Sequence, residues 1–128
     1  MHLALMAEEP VHALTCLPAA PGMTVHLEFV NSIYRARVRE TFTLHPRDGL
    51  VLVQVESPSA GVFEYYGFQT DGSGKASVHR VMNEIRLRSH DYANHLLIVG
   101  DREIHLRGLV ENGKSLIIRV GNGKKCPP

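Results

Sequence analysis

Hydrophobic and polar residues alternate with period two along most of this chain, the pattern of strands with one buried face and one wet face. From Met23 to Val30, Met23, Val25, Leu27 and Phe29 share one side while Thr24, His26 and Glu28 share the other. The pattern repeats from Tyr34 to Leu44, where Tyr34, Ala36, Val38, Phe42 and Leu44 oppose Arg35, Arg37, Arg39, Thr41 and Thr43. Asn31, Ser32 and Ile33 lie between the two runs. Asn and Ser side chains compete for local backbone hydrogen bonds, so this segment predicts a turn and the two runs an antiparallel hairpin. One position breaks the alternation. Glu40 falls on the apolar face, where a carboxylate must find a cation or hydrogen-bond donors, take up a proton, or sit at the mouth of a pocket.

The remaining chain reads as more strands and turns. Val11 to Leu17 is a short strand stopped by Pro18, Pro21 and Gly22. His45 to Gly49 makes a turn, and Leu50 to Glu56 is Val-rich with little alternation, as in a central strand covered on both faces. Ser57 to Gly61 interrupts the pattern before the aromatic residues Phe63, Tyr65, Tyr66 and Phe68, and Gln69 to Lys75 reads as a mobile loop. Val81, Ile85 and Leu87 alternate with Glu84, Arg86 and Arg88 as a half-buried strand. Leu96 to Val99 and Glu103 to Arg107 form a hairpin around Gly100 and Asp101, Asn112 and Gly113 mark the last turn, and Leu116 to Val120 closes the domain. Almost nothing has helical periodicity. About eight short strands at this spacing predict an all-β fold, an antiparallel sandwich or partly open barrel. The expected organisation is a single domain over 1–128, with an ordered core over about 11–120 and a mobile tail over 121–128.

Composition narrows the function classes without choosing one. The 14 Lys plus Arg against 13 Asp plus Glu leave a net charge of +1, which gives no electrostatic reason to expect nucleic acid or an anionic membrane as partner. Cys16 and Cys126 are too few for a disulfide scaffold and too far apart in sequence for a zinc pair; they would join the termini in an oxidising compartment and be free thiols in the cytosol. No stretch is long and apolar enough for a transmembrane helix. Met1 to Ala7 is apolar but has no preceding Lys or Arg, so the start does not read as a signal peptide. Taken literally this places the chain in the cytoplasm; removal of an upstream signal would place it outside or at the membrane.

The order of these features resembles domain of unknown function 1850. The resemblance runs from Cys16 to Val120 through the alternating strand from Thr24, Asn31-Ser32, Glu40, the Gly49-Leu50-Val51-Leu52 strand and Ser59-Ala60-Gly61. It continues through Asn83-Glu84-Ile85-Arg86-Leu87-Arg88, His95-Leu96-Leu97, Gly100, Leu106 and Leu116 to Val120. Members of that family are often encoded beside TRAP-type solute transporters of the TAXI class, which implies a transporter-associated role. They usually carry a His immediately before the Ser that matches Ser32, whereas this chain has Asn31, and Val62 follows Gly61 where a Pro is expected soon after. The acid at Glu40 is kept and its natural chemical partner is lost, which shifts the expectation from catalysis toward structure or recognition.

Glu40, Asn31, Ser32, Arg86 and Arg88 are therefore the candidate ligand-binding residues, lining a pocket for a small polar ligand. The competing structural reading ties Glu40 to Arg86 or Arg88, or to Ser32 and backbone amides. Eight His raise the question of metal, but their spacing matches no ligand motif, and His26 and His105 point outward from strands. Arg35, Arg37 and Arg39 with the aromatic residues suggest a single-strand nucleic-acid-binding barrel, an alternative the near-neutral charge disfavours. No nucleophile elbow, reactive Cys motif or phosphate loop is present, so a small metal-dependent or hydrolytic enzyme using Glu40 is the other alternative. The reading adopted is a non-catalytic binding or accessory module with no cofactor, whose partners are transporter components or a small polar ligand.

Overall fold

The computed structural model describes residues 1–8, 10–70, 72–88, 95–110 and 114–123. Nine strands and one short helix follow in the order β1 (His2–Glu8), β2 (Val11–Pro18), β3 (Thr24–Asn31), β4 (Ala36–His45), β5 (Gly49–Glu56), α1 (Ala60–Tyr66), β6 (Lys75–Leu87), β7 (Leu96–Val99), β8 (Arg102–His105) and β9 (Leu116–Gly121). All neighbouring strands pair antiparallel, in the spatial order β2-β1-β9-β6-β5-β4-β3-β7-β8. The sheet curls into a half-barrel whose edges, β2 and β8, do not meet. The all-β, partly open barrel expected from the alternation is therefore what forms.

The concave face holds the main core. Val25 and Leu27 from β3, Val38, Phe42 and Leu44 from β4, Leu50, Leu52 and Val55 from β5, and Leu97 from β7 are buried there together. Each large apolar side chain removed from water in this way stabilises by roughly 1.5–3 kcal/mol. β5 is the middle strand of the nine and lacks alternation because both its faces are covered: Leu50 and Leu52 enter the core while Val51 on the other side is just as buried. The expected hairpin β3-β4 forms, with Leu27 opposite Glu40 and Asn31 opposite Ala36.

Three segments depart from the sequence expectation. The apolar start, left unassigned by alternation, is β1; Leu3 and Leu5 join the main core, while Ala4 and Met6 pack with Ile117 on the opposite face. With both faces covered, the strand has no reason to alternate. The second departure is β6, which is 13 residues long and serves two neighbours, β5 up to Asn83 and β9 from Glu84 onward. Asn83 takes a positive φ of 62° and Gly49 opposite it one of 72°. This irregularity inverts the side-chain parity: Ala76 and Val78 face the core before it, Ile85 and Leu87 after it, and Val81 is exposed instead of buried. The third is the helix α1, described below with the residue it positions. The predicted turn at Asn112-Gly113, residues 124–128 of the tail expected over 121–128, His90 and Cys126 lie outside the described residues, and Gly121 ends β9. Cys16 lies on β2, and no described cysteine is a free thiol.

Candidate functional site

Glu40 does lie on the concave face, between Val38 and Phe42 along β4 and between Leu27 and Val55 across the sheet. Its partner is an aromatic hydroxyl and not an arginine. Tyr66 Oη donates to Glu40 Oε2 at 2.7 Å. The residue is half-buried, but its carboxyl group is set deep among protein atoms, and this burial raises its pKa above the ordinary carboxylate value even though the Tyr66 hydrogen bond pulls the other way. Burial, followed by the adjacent Glu40 charge, pushes the Tyr66 phenol well above its usual range, so the hydroxyl stays a donor.

The helix exists to place that hydroxyl. Val62, Phe63 and Tyr66 have the one-sided spacing of a helix about two turns long, too short for a helical period to stand out in a β-rich sequence. Val62 and Phe63 are buried and Tyr66 packs beside them against the core. Gly67 ends the helix in the left-handed region at φ 76°, and the Phe68 N–H returns to the Phe63 carbonyl at 2.9 Å. Phe68 then stacks on Tyr66 with ring centres 5.4 Å apart, and Arg80 of β6 lies 4.7 Å over the Phe68 ring. At the other end of α1, Gly61 touches the ring of Tyr34 so closely that any Cβ there would collide with it. The aromatic residues thus form a clasp holding α1 to the sheet, with Tyr65 and, to a lesser degree, Tyr34 left exposed.

The other candidate ligand residues are placed elsewhere. Asn31 Oδ1 accepts from the backbone N–H groups of Ile33 at 2.9 Å and Tyr34 at 3.0 Å, fixing the β3-β4 turn. Ser32 is exposed in the same turn. Four residue pairs separate this turn from Glu40, about 13 Å along the strand. Arg86 lies on the β9-paired half of β6 and makes an ion pair with Glu8 of β1 at 2.9 Å, and Arg88 is exposed just beyond β6. Glu40 is thus not gathered with these four residues into one pocket.

A different group of residues does share a groove. Where β3, β7 and β8 lie side by side, Glu28, Phe29, Val30, Arg37, His95, Leu96, His105 and Arg107 line a cavity of about 530 Å³; strand alternation puts Glu28, Val30, Arg37, Leu96 and His105 on the face away from the core, while Phe29 packs on the core's side. The register aligns Arg37 with Val30, Glu28 with Leu96, and Leu96 with His105. Glu28 is already engaged, its Oε2 2.6 Å from Arg39 Nε, and Phe29 stacks on His95 with ring centres 4.7 Å apart. The expected basic strip is therefore broken: Arg39 is paired, Arg35 sits in the turn with φ 49°, and Arg37 belongs to the groove. Among the described residues, no three His, Cys, Asp or Glu side chains come together as a metal site.

The pattern of domain of unknown function 1850 matches residues 25–106, more than half of the chain. The chain belongs to that family. No curated protein and no solved structure matches it. The domain of unknown function 1850 match spans β3 through β8 and includes Glu40, Tyr66 and every groove residue except Arg107. The family domain therefore carries both features, while β1, β2 and β9 extend its sheet on the far side of β6. No helix among the described residues is long and apolar enough to cross a membrane. Sequence reasoning missed Tyr66 and the groove. The signal for the first was the Val62-Phe63-Tyr66 spacing closed by Gly67; the second depends on residues from three separate segments and had none.

Proposed function

We propose that this domain of unknown function 1850 protein is a non-catalytic binding or accessory module that works with a solute transporter at or outside the membrane. The observation that carries the reading is the Tyr66–Glu40 hydrogen bond. The acid with the most reactive position in the sequence is committed to holding α1, and its carboxyl faces the core beside Val38 and Phe42. A hydrolytic or metal-dependent reaction would need Glu40 to reach a substrate or a bound water, and one of its two oxygens is already held by Tyr66. The pairing of Arg39 with Glu28 likewise weakens the nucleic-acid reading, because it removes one cation from the strip that reading requires.

The transporter association comes from the family resemblance and is tested in the native host. A tagged copy, crosslinked in intact cells, is expected to recover the permease or solute receptor encoded beside it, and deletion of the gene is expected to lower uptake of that transporter's solute. Unchanged uptake together with no recovered transporter component would sink the proposal.

A further inference from the structure

We infer that the groove at β3, β7 and β8 is a binding site for a small organic carboxylate, an anion with an apolar body. The inference rests on the binding-module reading and gives it a site and a ligand class. The groove has a two-part character. Val30 and Leu96 supply an apolar surface on the face away from the core, with Phe29 reaching the lining from the core's side, and Val30 is left 48% exposed although a strand-face valine gains by being covered. Arg37 and Arg107 supply charge, and neither has a carboxylate within ion-pair distance among the described residues. The single acid in the lining, Glu28, is neutralised by Arg39. Two guanidinium groups without partners beside an apolar surface suit a ligand with a carboxylate for the cations and a hydrocarbon or aromatic part for the floor. His105, exposed on the edge strand, adds another donor at the rim.

The neighbouring clefts lack this combination. The cleft lined by Met6, Glu8, Glu84, Arg86, Ile117 and Arg119 has its charges balanced internally, with Arg86 on Glu8 and Glu84 opposite Arg119. The cleft around Arg39, Glu56 and Ser57 shares Arg37 with the groove, but its other cation, Arg39, is on Glu28, and Glu56 is on Lys75.

The test is a titration of the isotope-labelled whole chain with benzoate, followed by amide chemical shifts, with inorganic phosphate as a second probe. Benzoate is expected to move the amides of Glu28, Val30, Arg37, Leu96, His105 and Arg107 along one saturating curve. Arg37→Gln and Arg107→Gln should each weaken binding about tenfold, the loss of one charge-assisted contact. Both side chains are on the surface, so spectra that otherwise superimpose on the wild type show that the fold is kept. Raising the salt concentration should weaken binding further. Absence of saturable shifts, shifts centred elsewhere, equal binding by phosphate and benzoate, or affinity unaffected by both substitutions would each overturn the inference. Such a failure leaves recovery of the transporter as a separate measurement, so loss of the groove and loss of the binding-module reading are distinguishable.

Discussion

Glu40 sits among apolar neighbours because Tyr66 satisfies one of its oxygens, and the direction of its pKa shift determines what it does to stability. Its folded pKa is raised by burial, so the native state holds the proton more tightly than the unfolded chain. Stability therefore falls as pH rises from the ordinary carboxylate value through the raised one, and is flat below both. Glu40→Gln removes this dependence while keeping an oxygen for the Tyr66 hydroxyl. In urea unfolding the variant is expected to gain on the wild type as pH rises, so that its relative stability is greater at pH 8 than at pH 5. A variant weaker than the wild type by more than about 2 kcal/mol at both pH values would show that the charge itself is required. The sequence already placed Glu40 on the apolar face. It could not show that the donor lay 26 residues away in a helix, because the contact depends on how α1 returns to the sheet.

Among the elements, α1 and the bend in β6 decide how the sheet is held, and both turn on a glycine with a backbone or ring against it. At Gly49 a Cβ would strike the Asn83 carbonyl, and its φ of 72° is costly for any other residue. Gly49→Ala is expected to lower the melting temperature by roughly 8 °C or more, on the order of 2 kcal/mol or more for a domain this size; a shift under 2 °C would mean that the bend relaxes freely. Gly61→Ala should act more mildly, because the Tyr34 ring can swing away, and should appear as increased Tyr34 exposure to solvent quenchers in fluorescence. The elements read best from sequence were those with one wet face, such as β3 and β4. β5 is legible as a central strand from its Val-rich run without alternation, whereas β1, also covered on both sides, is not; α1 is too short to reveal a period, and β6 changes parity at Asn83. For the strands the origin is the same: the two-fold pattern is visible only where a strand has one solvated face and a regular backbone.

At the scale of the whole molecule, the curled sheet separates two tasks. Its concave side is filled by the core and closed by α1 through Tyr66 and Glu40, while the groove with Arg37 and Arg107 opens where β3, β7 and β8 lie side by side. Stability and binding should therefore respond to different substitutions. Arg107→Gln is expected to leave the unfolding midpoint within the small range typical of surface changes, about 0.5 kcal/mol, while weakening anion binding. The candidate site was the least legible part of the sequence, since Glu28, Arg37, Leu96 and His105 become neighbours only through the pairing of β3 with both β4 and β7.

The account depends most on Glu40 being a structural anchor, and the unfolding free energy of Tyr66→Phe as a function of pH tests it most directly. Loss of the donor leaves a buried carboxylate unpaired, so the variant should lose about 1–3 kcal/mol at pH 8. The loss should be smaller at pH 5 than at pH 8, because acid favours the protonated carboxyl and its pKa is raised by burial. A Tyr66→Phe protein as stable as the wild type at both pH values would contradict the account and return Glu40 to the list of residues available for chemistry.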